Sequence, residues 1–142
     1  MKKEDKQMND YFSVKIYSHD DEHCERIDFP TDTETVKRTL RCLGAEGDDW
    51  HVRFTRASAF NVNNALYSCH DFTEMNYLGA LYRELSDFQK VVFMIFAQSD
   101  EFKNAPVSTF INIMIAMLDK ERFPRFYCGN SITIPPKYRI AA

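Results

Sequence analysis

The chain has 142 residues, of which 44% are hydrophobic and 14% aromatic, enough for one packed domain or two small subdomains that share a core. No apolar run reaches the ~20 residues of a membrane span, and the polar N-terminus lacks a signal peptide's apolar stretch, so we expect a cytoplasmic protein that does not bind membranes. The net charge is −3, and the four cysteines have no short spacings, which argues against a disulfide framework.

The first half of the chain predicts a small sheet with one helix. Residues 1–10 are polar and predicted to be disordered. "YFSVKIYS" and "ERIDF" alternate apolar and polar residues, which predicts a β-hairpin that ends at Pro30. Thr31 and Glu34 have the spacing of a helix capping box, and Gly44 suits the C-terminal end of that helix. "WHVRFT" predicts a third strand, so residues 11–70 form an α+β subdomain with a three-stranded antiparallel sheet.

Residues 71–119 predict a helical subdomain of about three helices. Asp71 or Thr73 can cap the first, and Ser86 with Gln89 has a second capping-box spacing. The apolar stripe of the first helix is Met75, Leu78, Leu81, Tyr82 and Leu85, and the buried side predicted for the second is Phe88, Val91, Val92, Ile95 and Phe96. The third helix, Val107–Leu118, is apolar nearly all round and belongs in the core or at a subunit interface, with the core favoured.

The last segment, residues 120–142, predicts a short C-terminal β-hairpin. Its second strand is Ser131–Ile134, and the prolines that follow end the pairing. The predicted fold class is therefore α+β throughout: a sheet with one helix, a helical subdomain, and a terminal hairpin or tail.

Catalytic and metal-binding groupings are sparse in the sequence. His19, His23 and Cys24 lie close together, but a zinc site needs about four ligands and usually a second cluster. Cys69 and His70 are neighbours in sequence, which does not place them in hydrogen-bond reach. The four glycines have no phosphate-loop spacing. We therefore predict a non-enzymatic protein without catalytic residues, metal or cofactor.

The charges are unevenly distributed, which predicts a binding surface. Asp10–Asp49 contains 11 acidic and 5 basic residues, and His70–Glu101 contains 6 acidic and 2 basic residues. Acidic residues in turns and loops can steer a protein toward a basic partner. The predicted partner-binding residues are Asp20, Asp21, Glu22, Glu25, Asp28, Glu46, Asp48 and Asp49.

An alternative is nucleic-acid binding through basic residues. "WHVRFTR" alternates aromatic and basic residues, as a base-stacking surface does, although core burial also explains Trp50, Val52 and Phe54. The residues predicted for this alternative are Arg53, Arg56, Lys137 and Arg139.

The order of elements resembles the ArdA-type antirestriction proteins of mobile genetic elements. The similarity runs over about residues 12–98 and includes the Glu-x-Asn-x-Leu pattern of Glu74, Asn76 and Leu78. The resemblance implies an often dimeric inhibitor from a mobile element whose acidic surface imitates duplex DNA and occupies the DNA groove of type I restriction–modification enzymes. Because a shared fold does not fix the target, we extend the prediction to phage or plasmid inhibitors of other nucleases, including CRISPR effectors. The resemblance leaves a homodimer open. The chain departs from the family at "VRFTRAS", where arginines stand in place of carboxylates.

Overall fold

The computed structural model describes residues 12–18, 23–44, 50–54, 71–118 and 134–140. The predicted α+β class is confirmed. In chain order the elements are β1 (Phe12–Ser18), β2 (Cys24–Phe29), α1 (Thr33–Leu43), β3 (Trp50–Phe54), α2 (Phe72–Glu84), α3 (Asp87–Gln98), α4 (Val107–Met117) and a 3₁₀ helix (Pro136–Tyr138).

The sheet is antiparallel and has β1 in its centre, in the order β2-β1-β3. The β1–β2 hairpin places Val14 opposite Ile27. On the other side of β1, the same Val14 lies opposite Phe54 of β3. Val14, Ile16 and Ile27 are buried whereas Lys15 is exposed, so the alternation seen in the sequence separates a core face from a polar face.

The cap of α1 lies one residue later than predicted. Asp32 is the N-cap, and its carboxylate accepts a hydrogen bond from the Thr35 N–H at 2.8 Å. The prediction of Thr31 is wrong because the Thr31 N–H donates instead to Asn76 Oδ1 on α2, at 2.6 Å. Gly44 ends the helix with φ of 69°, as predicted for a left-handed position that glycine adopts without strain.

Helices α2 and α4 form the centre of the core. The predicted stripe of α2 is confirmed, since Met75, Leu78 and Leu81 are all buried. Burial extends round most of this helix, because α4 packs on one side of it and β2 on another. The preferred core position of the third predicted helix is also confirmed, since Phe110 and Ile111 of α4 are buried.

The sheet and the helices are joined by specific contacts. The Trp50 ring of β3 stacks on Phe72 of α2, with ring centroids 4.6 Å apart. Asn76 Nδ2 donates to the Tyr138 carbonyl at 2.8 Å, so one buried amide holds both the turn before α1 and the C-terminal 3₁₀ helix. The predicted C-terminal β-hairpin lies outside the described residues except for Ile134, which is buried.

Candidate protein-binding surface

Helix α3 is attached to the core along one narrow side. Ser86 and Gln89 form the predicted capping box, with the Gln89 N–H donating to Ser86 Oγ and the Ser86 N–H to Gln89 Oε1. Only Phe93 and Ala97 of the helix are buried. The Phe93 ring packs edge-on against Phe110 of α4, at 5.9 Å between centroids. Gln89 Nε2 also donates to the Met117 carbonyl, at 2.6 Å, which joins α3 to the end of α4.

The opposite side of α3 is exposed and apolar. The exposed fractions are 76% for Phe88, 58% for Val91, 67% for Ile95 and 40% for Phe96. We call these four residues the outer face of α3. The sequence-based prediction that they line the buried side is wrong. Residues 88–97 are apolar on nearly every side except at Gln89 and Lys90, so periodicity alone could not tell which apolar side meets the core.

The outer face is large for a surface patch on a monomer. Its four side chains expose on the order of 400 Å² of apolar surface, within the range of the largest patch on a typical monomer, and such patches are often functional. Phe88, Val91 and Ile95 follow the i, i+3, i+7 spacing, so they project from one side of the helix. This geometry is typical of a helix that docks on another protein.

Acidic residues border both ends of the outer face. Asp87 is exposed at the start of α3, and Asp100 and Glu101 are exposed just beyond its end. Lys103 Nζ lies 3.3 Å from Asp100 Oδ1 and balances that carboxylate, whereas Lys90 Nζ lies 5.1 Å from the centroid of the Tyr82 ring. The surroundings of the apolar patch are therefore negative on balance.

The structure describes two of the eight acidic residues predicted to bind a partner. Glu25 and Asp28 are both exposed on β2. Asp28 accepts hydrogen bonds from Ser13 Oγ and from Arg26 Nε, the latter at 2.9 Å, so its charge is partly balanced within the protein. The other six, namely Asp20, Asp21, Glu22, Glu46, Asp48 and Asp49, lie outside the described residues.

The basic residues predicted for nucleic-acid binding are also only partly described. Arg53 lies in β3, and Arg56 lies outside the described residues. Lys137 and Arg139 are exposed at the 3₁₀ helix, where Arg139 Nε donates to the Ile134 carbonyl at 3.1 Å. The sequence reasoning did not single out Lys37, Arg38 and Arg41, which are all exposed on α1 and could have been found from their helical spacing.

A shallow polar groove of about 460 Å³ lies where α1, α2 and the 3₁₀ helix meet. Its lining includes Asp32, Asn76, Arg83 and Lys137. The oxygen and the nitrogen of the Asn76 amide each already make one hydrogen bond within the protein, and the Asp32 carboxylate caps α1. These groups join segments of the fold, so we assign the groove no ligand.

Three side chains have shifted pKa values with identifiable causes. Partial burial, with a smaller contribution from the Asp71 carboxylate, raises the pKa of Glu74 to about 7. Burial raises the pKa of Tyr77 to about 12, and its hydroxyl has no hydrogen-bond partner within the described residues. The hydrogen bond from the Thr35 N–H lowers the pKa of Asp32. The carboxyl groups of Glu74 and Asp32 and the hydroxyl of Tyr77 all lie outside the outer face of α3.

The described ranges offer few groups for metal binding or thiol chemistry. Those residues contain no group of three or more His, Cys, Asp or Glu side chains placed to hold a metal ion. Cys24 and Cys42 have exposed free thiols. Of the His19, His23 and Cys24 cluster noted in the sequence, His19 lies outside the described residues. None of the helices described is long and apolar enough to cross a membrane.

Comparison with known proteins gave no match to the chain among protein-family profiles, curated proteins or solved structures.

Proposed function

We propose that this protein is a non-enzymatic anti-defence inhibitor that binds a host nucleic-acid-targeting nuclease complex, either a restriction–modification enzyme or a CRISPR effector. The observation that carries the proposal is the outer face of α3, because an uncharged apolar face opposite the buried side of a helix is a protein-binding feature. The resemblance to ArdA-type proteins supplies the class of partner.

The acidic residues have a supporting role in this proposal. A basic nucleic-acid channel attracts carboxylates, which raises the association rate. Glu25 and Asp28 are exposed on β2 and lie among the residues predicted for this role. Because Asp28 is paired with Arg26, imitation of DNA by charge alone is incomplete here, and apolar contacts supply the affinity.

The test is inhibition of purified nuclease complexes. A type I restriction enzyme and a multisubunit CRISPR effector are assayed for DNA cleavage with increasing amounts of the protein. We expect at least one of them to be inhibited at a stoichiometric ratio and to form a complex visible by size-exclusion chromatography. Absence of both binding and inhibition for the two complexes would contradict the proposed function.

The acidic contribution has its own test in the same assay. Combined reversal of Glu25, Glu46, Asp48 and Asp49 to lysine should weaken inhibition and reduce its dependence on salt. Reversal of Glu34 to lysine on α1, an exposed carboxylate outside the predicted set, is the matched control. Unchanged inhibition by the quadruple variant would remove the electrostatic part of the proposal.

A second candidate function, nucleic-acid binding, is favoured by one observation: Lys37, Arg38 and Arg41 are all exposed on the same helix. Such residues contact phosphates, and affinity for nucleic acid then falls steeply as salt rises. A gel-shift titration with DNA and RNA at two salt concentrations separates the two functions. Salt-sensitive binding without any protein partner favours this second candidate.

A further inference from the structure

We propose that the outer face of α3 docks as a helix into an apolar groove whose border carries lysine and arginine side chains, on the surface of the nuclease complex. This inference rests on the proposed function and adds the contact surface, the binding mode and the chemistry of the partner site.

The binding mode follows from the spacing and exposure of the four apolar side chains. Phe88, Val91 and Ile95 lie at i, i+3 and i+7, the positions from which a docked helix inserts its anchors into a groove. Phe96 extends the patch along one flank, where its ring packs edge-on against Phe102 at 5.8 Å. Phe88, an aromatic ring, is the most exposed of the four side chains.

The helix is also preorganised for binding. Its N-terminus is fixed by the reciprocal hydrogen bonds of Ser86 and Gln89, and its inner side is held by Phe93 and by the bond from Gln89 to Met117. A helix that is already formed loses little conformational freedom when it binds, so more of its contact energy is expressed as affinity.

The charges determine which occupant fits. Asp87 lies at one end of the face and Glu101 at the other, whereas Asp100 is paired with Lys103. In a pair of α3 helices from two copies of this chain, acidic residues would meet acidic residues at both ends, whether the helices ran parallel or antiparallel. Like charges opposed across an interface weaken it. A groove with a basic border complements the face at both ends, and basic surface is what a nucleic-acid-processing complex presents near its substrate.

The outer face of α3 is too small to form a standard protein–protein interface by itself. A standard interface buries about 800 Å² on each partner, and the outer face supplies roughly half of that. Residues at the centre of such a patch contribute most of the affinity, while charged residues at the border affect mainly the association rate. The acidic ends of α3 are therefore expected to govern the salt dependence, and the apolar residues the dissociation rate.

The experiment compares two double variants in the full chain. Phe88→Ser with Ile95→Ser removes two anchors of the outer face, and Glu34→Ser with Cys42→Ser changes two exposed positions on α1 as a matched control. Dissociation constants for the purified type I restriction enzyme and CRISPR effector are measured by surface plasmon resonance. We expect the α3 variant to bind at least about 30-fold more weakly, mainly through faster dissociation, and the control to bind as the unaltered chain does.

Asp87→Asn with Glu101→Gln tests the basic border separately. This variant should slow association by several-fold at low salt and leave the dissociation rate nearly unchanged. If neutralisation has no effect on association at any salt concentration, the partner site has no basic border and the stated chemistry is wrong.

Two further measurements exclude the other occupants of the face. Sedimentation of the unaltered protein should show a monomer; a dimer that dissociates in the Phe88→Ser, Ile95→Ser variant would mean that a second copy covers the face. Denaturation of the same variant should show almost unchanged stability. A loss as large as that of a core substitution would mean that the protein's own chain covers the face. Either result would overturn the inference.

The outcomes also separate this inference from the proposed function. If the unaltered protein binds a nuclease complex and the α3 variant binds it equally well, the inhibitor function stands and the docking surface is wrong. If the unaltered protein binds neither complex, the proposed function fails, and the inference that rests on it fails too.

Discussion

Helices α3 and α4 have similar lengths and are both rich in apolar residues, α4 more so, yet the structure buries them to very different extents. α4 buries Phe110, Ile111 and Met114 against α2. α3 lies outside this pair and buries only Phe93 and Ala97, leaving its outer face in solvent. The contrast shows that apolar composition fixes how much surface a helix can bury, while its position in the layers fixes how much it does bury.

The difference matters for function because the two apolar surfaces have different thermodynamic roles. Apolar side chains of α4 stabilise the folded chain by leaving water when it folds. The outer face of α3 stays exposed in the described fold, so its side chains contribute little of this kind to folding. We therefore expect substitutions in α4 to change stability and those in the outer face to change binding.

The largest effect is expected for Phe110→Ala in α4. Removal of a buried aromatic side chain costs about 3 to 5 kcal/mol of unfolding free energy, since the contacts with neighbouring side chains are lost and a cavity remains. Phe88→Ala in α3 should change the unfolding free energy by less than about 0.5 kcal/mol. Urea denaturation of both variants measures the two values.

A smaller substitution in each helix allows the same comparison if the Phe110→Ala variant does not fold. Ile111→Val in α4 should cost about 0.5 to 1.5 kcal/mol, and Ile95→Val in α3 close to nothing. If Phe88 and Phe110 variants lost equal stability, the outer face would be buried in solution and the contrast between the helices would be wrong.

The next effect concerns polar contacts, which α2 has and the outer face lacks. Asn76→Ala removes the hydrogen bonds to the Thr31 N–H and to the Tyr138 carbonyl and should cost about 2 to 3 kcal/mol. Amide hydrogen exchange checks the mechanism, because the Thr31 N–H should lose protection while amides in the middle of α4 keep most of theirs. Continued protection of Thr31 would show that another acceptor holds it.

The sequence was most informative where local chemistry decides the structure. The Ser86–Gln89 capping box, the left-handed Gly44 and the Asp71 cap depend on neighbours within a few residues, so their spacing predicts them. The sequence predicted the N-cap of α1 at Thr31 and not at Asp32, because the hydrogen-bond partner of Thr31, Asn76, lies 45 residues away in the chain. Glu74, Asn76 and Leu78 carried the resemblance to ArdA-type proteins, and Asn76 and Leu78 also serve the packing of this fold.

The outer face of α3 could not be predicted for a similar reason. A helix with apolar residues on nearly every side has several candidate faces. Which face is buried depends on the position of α4, and the local sequence pattern of α3 does not report that position. The exposed Asp87, Asp100 and Glu101 were visible as charges in the sequence, but their relation to an apolar patch required the structure. The acidic loops that carried the original prediction lie mostly outside the described residues.

A smaller effect is expected at the cap that holds α3. Ser86→Ala removes one half of the capping box and should cost about 1 kcal/mol. Because α3 is attached along one side only, we expect hydrogen exchange to accelerate in the first turns of α3 and to remain unchanged in α4. Uniform acceleration in both helices would mean that they open together. Thr39→Ala, which removes a hydroxyl bonded to the Thr35 carbonyl of α1, is a control remote from both.

The last comparison concerns pH dependence, because Glu74 of α2 has a shifted pKa whereas the four residues of the outer face do not titrate. The folded pKa of Glu74 is about 7, above its ordinary value of 4.5, chiefly because of burial and secondarily because of Asp71. The folded state therefore holds this proton more tightly than the unfolded state. Its stabilising contribution is complete below pH 4.5 and declines as the pH rises to about 7. Glu74→Gln should flatten that decline in denaturation curves, whereas Glu84→Gln on the exposed end of α2 should leave it in place. A Glu74→Gln variant with the original slope would assign the dependence to another group.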